Sequence, residues 1–221
     1  MNFNVCSFNL RGLNSDIRKD QLAQDLVNYK IDVLCLQETK ISNGVDQNIR
    51  GNRLLCFPTK SRYYGCGFLI QSKWIDKVFR TWKVSDRICV LQVKIDVNLK
   101  KQQKQSLITI VNVYGPTSER AEKHPEDIEQ FYRDLNKTLD EIGTKDFLIL
   151  AGDFNSKVGK QQPADTCLGR YSKGKRNSNG EKLLELCEDR KLFITNSAFN
   201  HPSKHITTWT GQWMILVATI L

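Results

Sequence analysis

The sequence predicts an α/β sandwich with a mixed β-sheet rather than a doubly wound parallel sheet. Strand-like and helix-like segments alternate at irregular spacing along the 221 residues. Neighbouring strand-like segments, such as 88–97 and 107–113, lie close enough in sequence to pair as hairpins, which argues against a purely parallel sheet. With 40% hydrophobic residues, the chain can bury a sizeable core. We therefore expect one domain.

Apolar runs with strand periodicity locate the predicted strands. Residues 32–36 and 147–151 are nearly continuous apolar runs, which is typical of strands that are buried on both faces. The turn signal Gly115-Pro116 follows the strand predicted at 107–113. The other strands are predicted at residues 3–8, 53–57, 66–71, 88–97, 192–195 and 206–210.

Helical periodicity predicts helices at residues 16–29, 125–142 and 180–190. The first has Ile17, Leu22 and Leu26 as its apolar residues. The last is amphipathic, and its expected inward side chains are Leu183, Leu184, Leu186 and Cys187. The charged segments 100–104 and 171–177 fall between the predicted elements, and we expect surface loops there.

The composition restricts the partners and the chemistry. A net charge of +9 favours a polyanionic partner, nucleic acid first, although a basic surface without a specific ligand explains the charge alone equally well. The seven cysteines are scattered, mostly in apolar runs, and form no Cys-x-x-Cys motif, so we expect reduced, buried thiols. We find no signal peptide or membrane span, and expect a nuclear or cytoplasmic protein that is not secreted and has no obligate protein partner.

Polar side chains that suit a metal site directly follow strand-like runs. Glu38 and Asp153 each stand at the carboxyl end of an apolar run, and Asn9 and Asn155 add neutral amides nearby. Magnesium takes oxygen ligands, and one or two carboxylates with waters and a substrate phosphate are sufficient. Each residue taken singly is also explained as a turn residue or helix cap.

The joint pattern of motifs resembles the endonuclease/exonuclease/phosphatase superfamily, the fold of DNase I and of class II apurinic/apyrimidinic endonucleases. The motifs occur in the family's order between residue 2 and about residue 210. They are Ser7-Phe8-Asn9-Leu10-Arg11-Gly12, Leu36-Gln37-Glu38-Thr39-Lys40, Gly65-Cys66-Gly67-Phe68-Leu69-Ile70, Asn112-Val113-Tyr114-Gly115-Pro116, Leu150-Ala151-Gly152-Asp153-Phe154-Asn155 and Thr207-Thr208-Trp209-Thr210.

Within this superfamily, Asn9-Leu10-Arg11-Gly12 and Asn177-Ser178-Asn179-Gly180 are most similar to the endonuclease domains of non-LTR retrotransposons. The resemblance implies a four-layer α/β sandwich with two mixed β-sheets flanked by helices. It also implies Mg²⁺-dependent nicking of DNA, with Mn²⁺ as an alternative metal.

The resemblance implies specific roles for the predicted site residues. Glu38 and Asn9 would hold the metal, Asp153 would orient or deprotonate the attacking water, and Asn155 would steady the phosphate. Tyr114 would contact the phosphate and stabilise developing negative charge.

Contacts with the phosphate backbone of DNA would come from a second group of residues. Lys40 and Arg11 adjoin the proposed ligands, and Asn179 resembles a further DNA-contacting asparagine of the family. Trp209 is expected in the core, with a position beside the scissile phosphate as the alternative.

The C-terminal part departs from the family's pattern, which continues into Ile-Asp-Tyr and ends in Ser-Asp-His. Residues 211–221 contain no carboxylate and no histidine, and His124, His201 and His205 do not match the missing motif. We expect an incomplete family domain at residues 1–210, an apolar tail at 211–221, last strands that are missing or replaced, a marginally stable product and impaired catalysis. The alternatives are a non-catalytic relic that binds nucleic acid, or a related phosphoesterase acting on RNA or inositol phosphates.

Overall fold

The computed structural model of the chain describes residues 2–99, 102–143, 146–200 and 218–219. The strands are β1 Val5–Asn9, β2 Val33–Gln37, β3 Val45–Ile49, β4 Asn52–Cys56, β5 Cys66–Ile70, β6 Val78–Lys83, β7 Ile88–Leu99, β8 Gln102–Tyr114, β9 Phe147–Asp153, β10 Phe193–Ile194 and β11 Ala218–Thr219. The helices are α1 Asp16–Asn28, α2 Ser118–Lys123, α3 Pro125–Asp140 and α4 Ser178–Asp189, with 3-10 turns at Ser72–Lys77 and Thr195–Ser197.

The strands form two mixed sheets. The first has the order β1-β2-β5-β4-β3 and the second the order β10-β11-β9-β8-β7-β6. Each sheet contains one parallel pair with helix in its connection: β1 with β2 across α1, and β8 with β9 across α2 and α3. Because parallel neighbours end at the same edge, these pairs bring four strand ends to one rim of the sandwich.

Side-chain alternation along the strands builds four layers. In β2, Val33 and Cys35 belong to the core between the two sheets, whereas Leu34 and Leu36 pack in the cluster that contains α1. The other sheet follows the same rule: Cys89 and Leu91 of β7 face the first sheet, while Ile88 and Val90 join the cluster that contains α3 and α4. The predicted α/β sandwich with two mixed sheets and flanking helices is thereby confirmed.

The helices are formed for identifiable local reasons. Helix α3 has Pro125 at its start and buries Ile128, Phe131, Leu135 and Leu139 at helical spacing. Helix α4 begins after Asn177, whose side chain accepts a hydrogen bond from the backbone N–H of Gly180 at 2.9 Å. The four predicted inward residues of this helix are buried.

Several local predictions were wrong. Strands β3 and β6 and helix α2 were not predicted, and residues 102–104 belong to strand β8 instead of a loop, because β7 and β8 extend as one long hairpin. Ile17 of α1 is 83% exposed, unlike the buried Leu22 and Leu26. Asn179 lies within the first turn of α4 rather than before it.

The remaining predictions concern a loop, residues outside the described part of the chain, and membrane spans. Residues 171–177 contain no helix or strand, as predicted. The strand predicted at 206–210, Trp209, and the histidines His201 and His205 lie outside the described residues. In the described part of the chain, no helix has the length and apolar character needed to cross a membrane.

Candidate active site

Four predicted side chains meet where the two sheets share a rim. Asn9 ends β1, Glu38 follows β2, Tyr114 ends β8 and Asp153 ends β9. The Nδ2 atom of Asn9 donates to Oε1 of Glu38 at 2.8 Å and to Oδ2 of Asp153 at 3.0 Å. One amide group therefore joins the two carboxylates, which are 115 residues apart in numbering but adjacent in space.

Glu38 is the most heavily hydrogen-bonded acid of this cluster. Its Oε1 atom also accepts from the Tyr114 phenol at 2.9 Å, and Lys40 Nζ lies 3.0 Å from Oε2, leaving the side chain 15% exposed. Burial raises the pKa of Glu38, but hydrogen bonds from Asn9, Lys40 and Tyr114 outweigh it, so the pKa lies below its ordinary value. The carboxylate is charged at neutral pH.

The same environment keeps Tyr114 protonated. Burial raises the pKa of its phenol, and the neighbouring Glu38 and Asp153 charges raise it further, against a smaller opposing effect of Arg87. Tyr114 is therefore a neutral hydrogen-bond donor, and its proton points at the carboxylate of Glu38.

The backbone around the site adopts conformations that side chains other than glycine seldom take. Positive φ angles occur at Arg11 (54°), Glu38 (50°), Lys40 (57°) and Asn155 (49°). Such residues cost on the order of 1–3 kcal/mol each and persist when the surrounding structure fixes them. Asparagine tolerates this region through local hydrogen bonds, whereas glutamate and lysine have no such advantage. The turn after β2 is thus held in place by its neighbours.

A second loop positions Asp153 and Asn155. The backbone N–H of Asn155 donates to Oδ1 of Asp153 at 3.0 Å, and its side chain donates to the carbonyl of Gly115 at 2.8 Å. A Cβ atom at Gly115 would lie 2.5 Å from the carbonyl oxygen of Phe154, so only glycine permits this approach. The loops after β8 and β9 are consequently locked together.

The residues predicted to contact DNA occupy three different environments. Lys40 lies in the cluster, paired with Glu38, and Arg11 is exposed beside it. Asn179 is only 1% exposed; its Nδ2 donates to the carbonyls of Pro116 at 2.9 Å and Asn155 at 3.2 Å. Its Oδ1 atom is buried without a protein hydrogen-bond partner among the described residues. Asn179 thus joins the loops after β8 and β9 from the buried side.

A buried polar network behind the site was missed. Ser7 Oγ donates to Gln37 Oε1 at 3.0 Å, and Gln37 Nε2 donates to Asn112 Oδ1 at 2.6 Å. Asn112 then donates to the carbonyls of Leu36 and Gly67 at 3.0 and 2.9 Å. Polar residues inside otherwise apolar strand patterns were the available signal for this network, which joins the two sheets beneath Glu38 and Tyr114.

A cleft beside Tyr114 was also missed. It is lined by Tyr63, Tyr64, Arg87, Tyr114, Thr117 and Arg120 and has a volume of about 350 Å³. The sequence signal was the pair Tyr63-Tyr64 close to Lys60 and Arg62.

Comparison with known proteins gives this geometry a family. The sequence profile of the Endonuclease/Exonuclease/phosphatase family matches residues 1–215. The chain belongs to this family. The resemblance found in the motifs is thereby confirmed, and the cluster of Asn9, Glu38, Tyr114 and Asp153 lies in a fold whose members are nucleases and phosphatases.

The curated relatives of this family member include craniofacial development protein 2 of Bos taurus and of Tragulus javanicus. They are 28% and 27% identical to the chain over 209 residues. The alignments cover 94% of the chain but 33% and 34% of the relatives, so the chain spans about a third of the length of the curated relatives that it matches.

Solved structures with the same fold include two nucleases. The endonuclease domain of TRAS1, a telomere-specific non-LTR retrotransposon, has a TM-score of 0.60 and 14% identity, covering 98% of the chain and 83% of that domain. AP endonuclease LMAP from Leishmania major has a TM-score of 0.63 and 17% identity, covering 98% and 78%. At these identities the likeness shows the fold alone.

Members of the endonuclease/exonuclease/phosphatase family generally require a divalent metal, and the donor set at the rim is compatible with one. Among the described residues, no three or more His, Cys, Asp or Glu side chains are grouped so that they could hold a metal ion. Magnesium needs fewer, because it keeps several waters and takes one or two carboxylates. Glu38 and Asp153, linked through Asn9, supply that number.

Proposed function

We propose that this chain is a Mg²⁺-dependent phosphodiesterase that nicks DNA in the manner of a retrotransposon endonuclease. The observation that carries the proposal is the double hydrogen bond of Asn9, which holds the carboxylates of Glu38 and Asp153 together at the rim. The nuclease fold and a net charge of +9 support nucleic acid as the substrate.

The side chains have distinct tasks in this proposal. Glu38, assisted by Asn9, holds the metal, with Mg²⁺ preferred and Mn²⁺ as a substitute. When bound, the metal supplies a positive charge that stabilises negative charge on the phosphoryl oxygens. Tyr114, whose single phenol proton would turn from Glu38 to the phosphate, and Asn155, whose loop is fixed to Gly115, hold the phosphate through hydrogen bonds.

Asp153 orients the attacking water and accepts its proton. Its Oδ1 and Oδ2 atoms are held by Asn155 and Asn9, which fixes the direction of the carboxylate relative to the rim. Phosphoryl transfer depends mainly on positioning and electrostatics, so no covalent enzyme intermediate is required.

Lys40 and Arg11 contact the phosphate backbone outside the scissile position. Such contacts fix the register of the DNA but do not read its sequence. Direct contact between Asn179 and DNA stays a prediction, and the two carbonyls bound by its amide support a positioning role as well.

We further propose that nicking by these 221 residues alone is slow. Residues 211–221 contain no acid or histidine to match the Asp-His pair of the family pattern. Proton transfer by such a group contributes on the order of 10²–10⁴-fold to a rate.

A plasmid assay tests the proposal. Supercoiled DNA is incubated with the chain in Mg²⁺, in Mg²⁺ with excess chelator, and with the Glu38→Ala variant. We expect slow conversion to nicked circles that the chelator abolishes and that Glu38→Ala reduces by roughly 10²-fold or more. Glu129→Ala is the matched control, because Glu129 is an exposed acid of α3 that pairs with Lys182 at 2.6 Å.

Three outcomes would contradict parts of the proposal. Nicking that survives the chelator or Glu38→Ala would exclude this site as its origin. Nicking as fast as that of an intact family nuclease would exclude impairment. Salt-dependent DNA binding without any nicking would identify a binding protein instead of an enzyme.

A further inference from the structure

The cleft beside Tyr114 is continuous with the proposed phosphate site. Tyr114 lines the cleft with its ring, while its phenol donates to Glu38 at 2.9 Å. The backbone N–H of Lys40 donates to the carbonyl of Tyr64 at 3.0 Å, and that of Tyr114 donates to the carbonyl of Arg87 at 2.8 Å. The walls of the cleft are therefore hydrogen-bonded to the loops that carry the site.

The walls combine aromatic rings with guanidinium groups. Arg87 lies 3.8 Å over the Tyr64 ring and 5.3 Å from the Tyr114 ring, and its Nη1 donates to the carbonyl of Tyr114 at 3.0 Å. Tyr63 is 71% exposed, and its ring centroid lies 6.5 Å from that of Tyr64. Arginine fixed between rings is a favourable partner for planar bases and phosphates.

The charge of the cleft favours an anion. Its lining residues among the described part of the chain include two arginines and no acid. Arg120 pairs with Asp127, which lies outside the lining, and Arg87 is held by two rings and by the carbonyl of Tyr114. Exposed Lys60 and Arg62 precede Tyr63 on the same loop.

The volume of the cleft limits the size of its ligand. A volume of about 350 Å³ lies at the lower end of the roughly 300–1,000 Å³ range of small-molecule sites. This space suits one base with its sugar but not a stacked base pair. In a duplex the base faces are covered by their neighbours, whereas an unpaired base exposes a face that can stack on tyrosine.

We propose that this cleft binds an unpaired base of the DNA strand whose phosphate is held by Tyr114 and Asn155, so that the chain prefers single-stranded or gapped DNA to continuous duplex. This inference rests on the proposed function for the position of the phosphate of the bound strand. Binding in the cleft itself requires no cleavage. Stacking on Tyr63 and Tyr64 supplies affinity without sequence preference, and Arg87 supplies charge.

Binding is measured by fluorescence anisotropy in the presence of chelator, with a labelled oligonucleotide as a single strand and in a duplex. We expect tighter binding of the single strand. Tyr63→Ala and Tyr64→Ala should weaken single-strand binding by about 5- to 150-fold each, the range for loss of one stacked base, with less than about a threefold effect on the duplex. Tyr64→Phe should retain the affinity, because it keeps the ring.

The controls separate stacking from general electrostatics. Arg87→Gln should weaken the binding of both the single strand and the duplex. Arg133→Gln on α3, where the arginine side chain bonds to Gln130, should weaken neither. An oligonucleotide with a single 2-aminopurine should lose fluorescence on binding to the unmodified chain and regain it in Tyr63→Ala. Circular dichroism melts establish that each variant is folded.

The proposal is overturned if single strand and duplex bind equally, or if folded tyrosine variants keep full single-strand affinity. Failure of the nicking assay with intact, tyrosine-dependent single-strand binding would remove the proposed enzyme and leave the base-binding cleft. Glu38-dependent nicking, together with single-strand binding that the tyrosine variants do not change, would support the proposed enzyme and remove the base-binding cleft.

Discussion

The phenol of Tyr114 donates a hydrogen bond to Oε1 of Glu38 at 2.9 Å, across the interface between the two sheets. Tyr114 ends a strand of one sheet and Glu38 follows a strand of the other. Because burial and the Glu38 charge raise the pKa of the phenol, the pair consists of a neutral donor and a carboxylate. The proposed metal ligand and the proposed phosphate donor thus lie in direct contact across the two sheets.

Removing this phenol should impair chemistry more than stability. For Tyr114→Phe we expect Mg²⁺-dependent nicking to fall by roughly 10²-fold, the effect of losing one donor to a developing negative charge. The free energy of unfolding should fall by only about 1 kcal/mol. Initial nicking rates and urea unfolding check both values, with Tyr29→Phe as a control on an exposed tyrosine. An unchanged nicking rate would exclude Tyr114 as a donor to the phosphate.

The buried network below this contact should dominate stability. Asn112→Leu removes the acceptor of the Gln37 amide and a second donor to the carbonyls of Leu36 and Gly67, which also face each other in the ladder between β2 and β5. We expect a loss of about 3 kcal/mol in the free energy of unfolding, since a buried group left without its partner costs about 1–3 kcal/mol and the bonds to the two carbonyls are lost as well. Urea denaturation measures it.

The matched control is Asn28→Leu at the exposed end of α1, which should change stability by less than about 0.5 kcal/mol. Equal losses at the two positions would show that the network contributes nothing specific.

The predictable part of the fold is the part whose strands bury side chains. Strands β2 and β9 read as apolar runs because sheet or helix covers both faces, and their ends correctly located Glu38 and Asp153. Strands β3 and β6 are edge strands with largely exposed side chains, so backbone pairing alone defines them and the sequence shows no periodicity.

The same distinction explains what was found of the site. Asn9, Glu38 and Asp153 were predicted because they stand at the ends of regular strands, and Tyr114 was predicted from the family resemblance. The contacts of Lys40 with Glu38 and of Arg87 with Tyr64 involve residues in loops, whose relative placement depends on tertiary pairing. No local sequence pattern indicates such a contact.

Gly152 should be intolerant of any side chain. Its φ angle is 142°, and an added Cβ would lie 2.0 Å from the carbonyl oxygen of Val113 on the paired strand β8. Gly152→Ala should lower the free energy of unfolding by more than about 3 kcal/mol or prevent folding, because the added Cβ clashes with backbone. The next residue is Asp153, so the change would also disturb the candidate site. Melting temperature and soluble yield are the measurements.

Gly143→Ala provides the comparison. A Cβ there meets no heavy atom of the described chain within 4 Å, so stability should change by less than about 1 kcal/mol. A Gly152→Ala variant as stable as Gly143→Ala would show that the strands separate more easily than their pairing suggests.

The ion pair of Asp165 with Arg176 should make stability depend on pH. Oδ2 of Asp165 accepts from Arg176 Nη2 at 2.5 Å and from the backbone N–H of Gln162 at 2.7 Å, within the loop between Asn155 and α4. Burial raises the pKa of Asp165, but the hydrogen bonds from Arg176 and Gln162 lower it by more, so the folded pKa lies below the ordinary value. The pair therefore stabilises the fold above the unfolded pKa of about 3.9 and loses its effect as pH falls towards the folded value.

Asp165→Asn should accordingly lower the free energy of unfolding at pH 7 by about 1–3 kcal/mol, because Arg176 keeps its charge and its bond to the carbonyl of Val158 but loses its carboxylate partner. The difference from the unmodified chain should shrink as the pH falls from about 5 to 3, since protonation removes from the unmodified chain the charge that the variant already lacks. Urea denaturation over this range measures the difference. Asp20→Asn, which breaks an exposed pair with Arg50, should cost less than about 1 kcal/mol. A difference for Asp165→Asn that stays constant down to pH 3 would show that the shape of the side chain, and not its charge, holds this loop.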